Sequence, residues 1–266
     1  MTIPFVIQPV NIAYATSDAV AVHALYWVPK DVTHELGCVV AHGFTGSSAR
    51  PEVQRICRSL ADTGIGVLSP DFRGHGRSGG ATTAGDLETL DVAAAVRWLR
   101  AQGYHKVAIV GFSMGGSAVL RYAGSDGCDA DAVVSVSSPG MWFERGTRPM
   151  RRVHFVLERA AGRALLRFTK GVRVAGSKWE VVPRAPHEVA GAIDVPLLLV
   201  HGEDDHYFPR RHIDALAAAA PGATVWIEPG MAHAESATTE ALTARIAEWL
   251  WAVLRDGVWD DVPRGD

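Results

Sequence analysis

A serine between two glycines is the residue of this chain best suited to nucleophilic chemistry. Ser113 lies in the sequence Gly-Phe-Ser-Met-Gly at residues 111–115, after an apolar run at 107–110 and before a helical pattern. A chain that turns from strand to helix at one residue crowds its neighbours, so residues without a Cβ are needed on both sides. The turn exposes the Ser113 hydroxyl and sets the N–H of Met114 at the positive end of the helix. The spacing therefore predicts a nucleophile with one oxyanion donor beside it.

A serine hydroxyl needs a base to take its proton, and that base needs a partner that fixes its tautomer and stabilises its cation. His233 follows the last predicted strand and is the candidate base. Asp204 and Asp205 both follow the preceding predicted strand, and spacing alone does not choose between them as the acid. Serine, aspartate, histidine is an established chain order for such a set.

Two backbone N–H groups are needed to stabilise a tetrahedral oxyanion, and losing one typically costs ~3–4 kcal/mol. Met114 supplies the first. The second should come from the loop after the apolar run at 37–41, where Phe44 follows Gly43. His42 and His75 also lie in glycine-rich turns, and we expect them to hold these loops through hydrogen bonds.

The elements that must position these residues are short apolar runs near residues 40, 68, 109, 135, 198 and 225, which alternate with helical patterns. This alternation predicts a parallel sheet covered on both faces, with its site at the carboxyl ends of the strands. Residues 5–7 and 21–28 are two further predicted strands. The polar segment 11–18 between them predicts an antiparallel hairpin at the sheet edge. The predicted fold is α/β, with a mostly parallel, doubly wound sheet of eight strands.

Residues 140–192 interrupt the alternation and are predicted to form a small helical lid inserted after strand 6. Residues 1–139 and 193–266 then form the core. Trp142 and Phe143 of the lid are candidate substrate-binding residues. An apolar stripe at helical spacing runs through Met150, Val153, Leu157, Ala160, Ala161, Ala164, Leu165 and Phe168.

The segment 141–190 carries eleven Lys and Arg residues against four Glu. Three interpretations are open for this basic charge. The basic residues form a solvated helix face, they recognise an anionic substrate, or they dock the segment on a lipid surface.

The composition bounds the class of protein. The chain has 266 residues, 48% of them apolar, and a net charge of −3, which gives no reason to expect a nucleic-acid partner. The three cysteines have no metal-ligand spacing, and they fit a reducing, cytoplasmic location. The first residues do not resemble a secretion signal, and no apolar run reaches ~18 residues, so no integral membrane association is expected.

Four ordered motifs resemble those of the α/β-hydrolase superfamily, and the resemblance covers nearly the whole chain. The motifs are His-Gly-Phe at 42–44, Asp-Phe-Arg-Gly-His-Gly-Arg-Ser at 71–78, the Ser113 turn, and Gly-Glu-Asp-Asp at 202–205 with Pro209 and His233. In similar sequences the acid is the fourth residue of Gly-x-x-Asp, with a proline four residues further on, and this frame selects Asp205. Residues 42–47 resemble those of small bacterial esterases, including feruloyl-type ones, and of serine-aminopeptidase-like hydrolases.

This resemblance implies a serine hydrolase that cleaves a small carboxylic ester through an acyl-enzyme intermediate, with Ser113, Asp205 and His233 as the catalytic residues. Phe44 and Met114 are the expected oxyanion donors, and no metal or organic cofactor is needed. A thioesterase or a C–C bond hydrolase with the same triad is the alternative within enzymes. A ligand-binding receptor that retains the triad is the alternative from another class.

Overall fold

One eight-stranded sheet forms the centre of the protein, whose computed structural model describes residues 8–30, 33–176, 179 and 181–255. The strands in chain order are β1 (Pro9–Ala15), β2 (Ala21–Trp27), β3 (Leu36–Ala41), β4 (Gly66–Pro70), β5 (Lys106–Phe112), β6 (Ala132–Val136), β7 (Leu197–Gly202) and β8 (Thr224–Glu228). Their order across the sheet is β1-β2-β4-β3-β5-β6-β7-β8. β2 pairs antiparallel with both β1 and β4, and every other pairing is parallel. The prediction of a mostly parallel eight-stranded sheet is confirmed.

Helices cover both faces of the sheet. In chain order they are α1 (Pro51–Ala61), α2 (Glu88–Ala101), α3 (Met114–Ala123), α4 (Arg148–Glu158), α5 (Ala160–Lys170), α6 (Pro186–Ala190), α7 (Arg211–Ala219), α8 (Ala234–Ala237) and α9 (Glu240–Arg255). Ile56 of α1 and Leu250 of α9 belong to the buried cluster on one face. Leu99 of α2 and Leu120 of α3 belong to the cluster on the other. The strands β3 to β7 are short and mainly apolar because nearly all of their residues are buried.

A strand occupies most of the segment that the sequence analysis predicts to be a polar turn. The predicted strand at 5–7 falls outside the described residues, while β1 occupies most of the segment 11–18 that was interpreted as a polar turn. That interpretation was wrong because β1 is an edge strand paired only with β2, so polar side chains can alternate toward solvent. The turn itself is shorter and runs from Thr16 to Val20, whose backbones are hydrogen-bonded.

The chain between β6 and β7 contains three helices, α4, α5 and α6. The predicted apolar stripe is divided between α4 and α5, because Arg159 has an extended backbone, with φ −111° and ψ 135°. The two helices pack closely where Gly162 faces Val156, and a Cβ at Gly162 would come within 2.5 Å of the Val156 Cα. This segment brings side chains to the carboxyl ends of the parallel strands, where the cavity described below is found.

Candidate active site

The turn at Ser113 joins β5 to α3 and holds an unfavourable backbone conformation. Ser113 has φ +51° and ψ −115°, a region that residues with a Cβ rarely adopt. A Cβ on Gly111 would lie 2.4 Å from the Gly115 carbonyl oxygen, and one on Gly115 would lie 2.2 Å from that of Ala41. Gly111 is therefore required for α3 to fold back against β5, and Gly115 is required for α3 to pack against the end of β3. Such strain costs of the order of 1–3 kcal/mol and persists only where the surrounding structure enforces it.

The loops after β7 and β8 bring a histidine and an aspartate to this serine. The Nε2 atom of His233 lies 3.0 Å from the Ser113 Oγ. The Nδ1 atom of the same ring lies 2.8 Å from the Asp205 Oδ2. The three side chains predicted to act together thus form one continuous hydrogen-bonded chain.

Asp205, and not Asp204, contacts the imidazole. The Asp205 side chain is buried, and its Oδ1 accepts hydrogen bonds from the N–H groups of Tyr207 at 2.8 Å and Phe208 at 3.0 Å. Burial alone would raise the pKa of Asp205, but the hydrogen bond and charge of His233 and these two N–H groups lower the pKa overall. The carboxyl group therefore stays ionised, while Asp204 is exposed to solvent.

Two aromatic rings hold the imidazole in place. The Tyr207 ring stacks on His233 with a centroid distance of 4.2 Å and an interplanar angle of 22°. Phe208 approaches edge-on at 5.5 Å. Sequence reasoning did not single out Tyr207. Its position beside Asp205 in the loop after β7 was the only available signal.

Phe44 and Met114, the predicted oxyanion donors, line the same cavity as Ser113. Phe44 lies in a tight turn closed by the hydrogen bond from the Gly46 N–H to the Gly43 carbonyl at 2.9 Å. Met114 is the first residue of α3, where backbone N–H groups have no partner within the helix. Among the residues described, neither N–H donates a hydrogen bond to the protein.

His42 and His75 hold the neighbouring loops, as their glycine-rich surroundings predict. The His42 Nδ1 lies 2.8 Å from the Gly43 carbonyl, and its Nε2 accepts the N–H of Phe72 at 3.1 Å. Burial, and then the charge of His75, lowers the pKa of His42 to about 3, so the ring stays neutral. A neutral ring can donate through Nδ1 and accept through Nε2, which ties the turn at Gly43 to the loop after β4.

Glu235 is a site residue that sequence reasoning missed. Its Oε1 accepts the Gly43 N–H at 2.5 Å, which links the loop of the candidate base to the turn that carries Phe44. A Cβ on Gly43 would lie 3.2 Å from the Ser113 Cβ and 3.3 Å from this Oε1, so the carboxyl group lies close to the serine. Ala234, with φ +53°, turns the chain between His233 and Glu235. The only sequence signal was a carboxylate two residues after the candidate base.

Replacing Glu235 by glutamine should stabilise the protein at alkaline pH. Burial raises the pKa of Glu235, and the hydrogen bond from Gly43 only partly offsets this. The folded state then binds the proton more tightly than the unfolded state, so stability falls as pH rises through the raised pKa. Glu235→Gln keeps an oxygen acceptor for Gly43 without the charge. We expect a higher Tm than wild type at pH 8 and nearly equal values at pH 4. The exposed Glu203→Gln is the control, and a Tm difference that is independent of pH would contradict this account.

A cavity of about 450 Å³ opens beside Ser113. Trp142 and Phe143, the two predicted substrate-binding residues, both line it. Trp142 packs on Trp179 with a centroid distance of 5.3 Å and donates its indole N–H to the Pro183 carbonyl at 2.7 Å. The other apolar and aromatic side chains that line the cavity include Met141, Met150, Val153, Val156, Leu157, Leu166, Tyr207 and Phe208.

Across the described ranges, no helix is long and apolar enough to cross a membrane. Those same ranges contain no group of three or more His, Cys, Asp or Glu side chains arranged to hold a metal ion. The groups that the described residues bring to this site are a serine hydroxyl, an imidazole, a carboxylate and backbone N–H groups.

Comparison with known proteins identifies the family. The model of the α/β-hydrolase fold family matches residues 39–173. The protein YqkD of Bacillus subtilis, which is uncharacterized, is 30% identical over 221 residues, which cover 82% of this chain and 70% of YqkD. The chain belongs to the α/β-hydrolase fold family.

Solved structures with the same fold include esterases. The Pyrococcus furiosus esterase Pf2001 superposes with a TM-score of 0.71 at 21% identity, covering 93% of each chain. Est1E of Butyrivibrio proteoclasticus, solved with ferulic acid bound, superposes with a TM-score of 0.65 at 18% identity, covering 92% of this chain and all of that one. Family membership, together with these neighbours, supports hydrolase activity.

Proposed function

We propose that the protein is a serine hydrolase that cleaves carboxylic esters through an acyl-enzyme intermediate. The observation that carries this proposal is the chain of two hydrogen bonds from Ser113 through His233 to Asp205, at 3.0 and 2.8 Å. These distances lie within the reach required of a nucleophile and its base. The lowered pKa of Asp205 supports its role as the anion that stabilises the imidazolium.

In this mechanism the Ser113 Oγ attacks the ester carbonyl carbon while its proton moves to the His233 Nε2. The carbonyl oxygen becomes an oxyanion, which accepts hydrogen bonds from the N–H groups of Phe44 and Met114. As the tetrahedral intermediate collapses, the C–O bond to the alcohol breaks and His233 returns the proton to the leaving oxygen. Water then attacks the acyl-enzyme, again giving a proton to His233. Cleavage of that second intermediate releases the acid and restores the Ser113 hydroxyl.

The cavity favours an apolar acyl group of moderate size, either aliphatic or aromatic. Its volume of about 450 Å³ lies in the usual range for small-molecule sites. Trp142, Trp179 and Tyr207 offer flat surfaces to an aromatic acyl group. The structural likeness to Est1E, which was solved with ferulic acid, is consistent with this substrate class. The same mechanism would cleave a thioester, so the leaving group must be found by experiment.

The segment 140–192 is proposed to act as a lid over a core formed by 1–139 and 193–266. Side chains of α4 and α5, including Val153 and Leu166, line the cavity beside Ser113, where they would limit the access of solvent to the reacting groups. The three cysteines are free thiols, which fits a reducing compartment such as the cytoplasm.

A panel of esters and thioesters of graded acyl length tests the substrate class. Each buried methylene contributes ~0.8 kcal/mol, or about fourfold in kcat/KM. We expect kcat/KM for p-nitrophenyl esters to rise more than tenfold from acetyl to hexanoyl, with arylpropenoyl esters also accepted. Val153→Phe, which narrows the cavity, should abolish this gain while sparing acetyl esters. Leu165→Phe enlarges a side chain that does not line the cavity, so it serves as the matched control.

The same panel separates the enzymatic alternatives from a receptor. Preference for thioesters over matched oxygen esters would point to a thioesterase. Binding of esters without turnover, and without covalent labelling by a fluorophosphonate, would contradict the proposal and favour a ligand-binding receptor. Ester turnover with an initial burst of alcohol release would support the acyl-enzyme.

A further inference from the structure

Helices α4 and α5 expose large apolar side chains on the side that faces away from the cavity. Phe168 is 91% exposed, Leu165 56% and Phe155 54%. Leu165 and Phe168 are three residues apart on α5 and therefore share one face of that helix. The opposite face of α5 is anchored, because Leu166 is buried and lines the cavity. The α4 part of the predicted apolar stripe therefore lines the cavity, whereas Leu165 and Phe168 of its α5 part are exposed to solvent.

The same helices carry a concentrated positive charge. Residues 148–170 contain seven Lys and Arg residues and one Glu, a net charge of +6. Since the whole chain carries −3, the remainder carries −9. Glu158, the single acidic residue, is paired with Arg145 and His154, neither of which belongs to the seven. Within the described ranges, no ion pair neutralises the exposed cations Arg148, Arg151, Arg159, Arg167 and Lys170.

We propose that this face, defined by Phe155, Leu165, Phe168 and those five cations, docks on a membrane surface that contains anionic lipid. Apolar side chains flanked by Lys and Arg on a helix lying in the plane of the surface are the combination that binds such an interface. Phe and Leu side chains enter the acyl boundary, while the cations remain among the lipid phosphates. Each cation near an anionic surface strengthens binding by about fivefold.

A second copy of this chain fits the face poorly. A two-fold symmetric dimer through this surface would place a charge of +6 against an identical +6. A lipid surface supplies negative charge and apolar depth together, so it satisfies both kinds of exposed side chain.

Docking by this face would place α4 and α5 between the lipid and the cavity, so substrates that partition into lipid would reach the cavity around these two helices. Val153 and Leu157 of α4 line the cavity, while Phe155 and Arg151 of the same helix point to solvent. This link to substrate delivery rests on the proposed ester hydrolysis, whereas docking itself does not require turnover.

Sedimentation with vesicles tests the docking directly. The Ser113→Ala protein is used so that no lipid is hydrolysed, and its partition is measured on vesicles of phosphatidylcholine with 30% phosphatidylglycerol and on pure phosphatidylcholine. We expect at least tenfold stronger partition onto the anionic vesicles, weakened by raised salt, which screens exposed charges. Because turnover plays no part, this result is independent of the proposed function.

Two double substitutions in this background separate the apolar and the ionic contributions. Leu165→Ser with Phe168→Ser should lower partition at least tenfold. Arg167→Glu with Lys170→Glu should lower partition onto anionic vesicles by a larger factor than partition onto neutral vesicles. All four side chains are exposed, so the thermal transition should not change. The controls are Val10→Ser for the apolar pair and Arg58→Glu for the charged pair. Both change exposed residues that are distant in sequence from α4 and α5, and both variants should bind vesicles as the parent protein does.

Three results would overturn the proposal. The first is no partition onto anionic vesicles, and the second is partition that neither double substitution reduces. The third is a concentration-dependent dimer, seen by sedimentation equilibrium, that Leu165→Ser with Phe168→Ser abolishes, since this would assign the face to a second copy of the chain.

Discussion

Ser113→Ala should lower kcat for ester hydrolysis by about 10⁴–10⁶-fold, because it removes the atom that forms the acyl-enzyme. Alanine keeps the Cβ, so the backbone at φ +51° is as strained as before and the Tm should be unchanged. Loss of activity with an intact thermal transition therefore reports on chemistry and not on folding. The measurement is single-turnover and steady-state hydrolysis of a chromogenic ester, alongside labelling by a fluorophosphonate.

The matched control is Ser125→Ala, which makes the same change just beyond the other end of α3. Its hydroxyl donates only to the Tyr122 carbonyl at 2.6 Å, so activity should stay within a few fold of wild type. Turnover that survives Ser113→Ala, or a fluorophosphonate adduct on a different residue, would show that the nucleophile has been assigned wrongly.

Asp205→Asn should reduce kcat by about 10⁴-fold. The amide keeps the shape of the side chain but carries no charge, so it neither stabilises the imidazolium nor selects the tautomer with its proton on Nδ1. The N–H groups of Tyr207 and Phe208 would still find an acceptor if the amide oxygen faces them. The amide nitrogen would then face the His233 Nδ1 and force the opposite tautomer. Steady-state kinetics across a range of pH measure this loss.

Asp204→Asn provides an internal comparison at the adjacent position. Asp204 is exposed and makes no side-chain contact with the imidazole, so its substitution should change kcat by less than a few fold. A larger loss from Asp204→Asn than from Asp205→Asn would move the acid by one residue and contradict the mechanism.

Much of the fold could be predicted from the sequence because its signals are local. The apolar runs of β3, β4, β5, β6 and β7 match strands that are almost entirely buried, where few polar side chains can be accommodated, and the run of β8 matches a partly buried strand at the other edge. The edge strand β1 was interpreted mostly as a turn because it lacks such a run. With a partner on one side only, it needs no apolar run, and its pattern resembles that of a polar turn.

The candidate site divides in a similar way. The requirement for Gly111 and Gly115 is a steric property of a few consecutive residues, so the position of Ser113 follows from the sequence pattern. The catalytic roles of Ser113, Asp205 and His233 stay predictions, but the structure does bring the three side chains together. Which of two adjacent aspartates contacts the imidazole depends on how one loop folds over another, and family resemblance rather than spacing favoured Asp205.

The sequence by itself determined the order of strands and helices, the turn that exposes the serine, and the basic character of residues 141–190. Tertiary structure alone decided that Glu235 meets Gly43 across 192 residues, that Tyr207 stacks on His233, and that Phe168 faces solvent while Leu166 lines the cavity. The physical reason is the range of the interactions. Steric constraints and hydrophobic periodicity act within a few residues, so they can be recognised from the sequence. Contacts between distant loops form only when the sheet places those loops side by side.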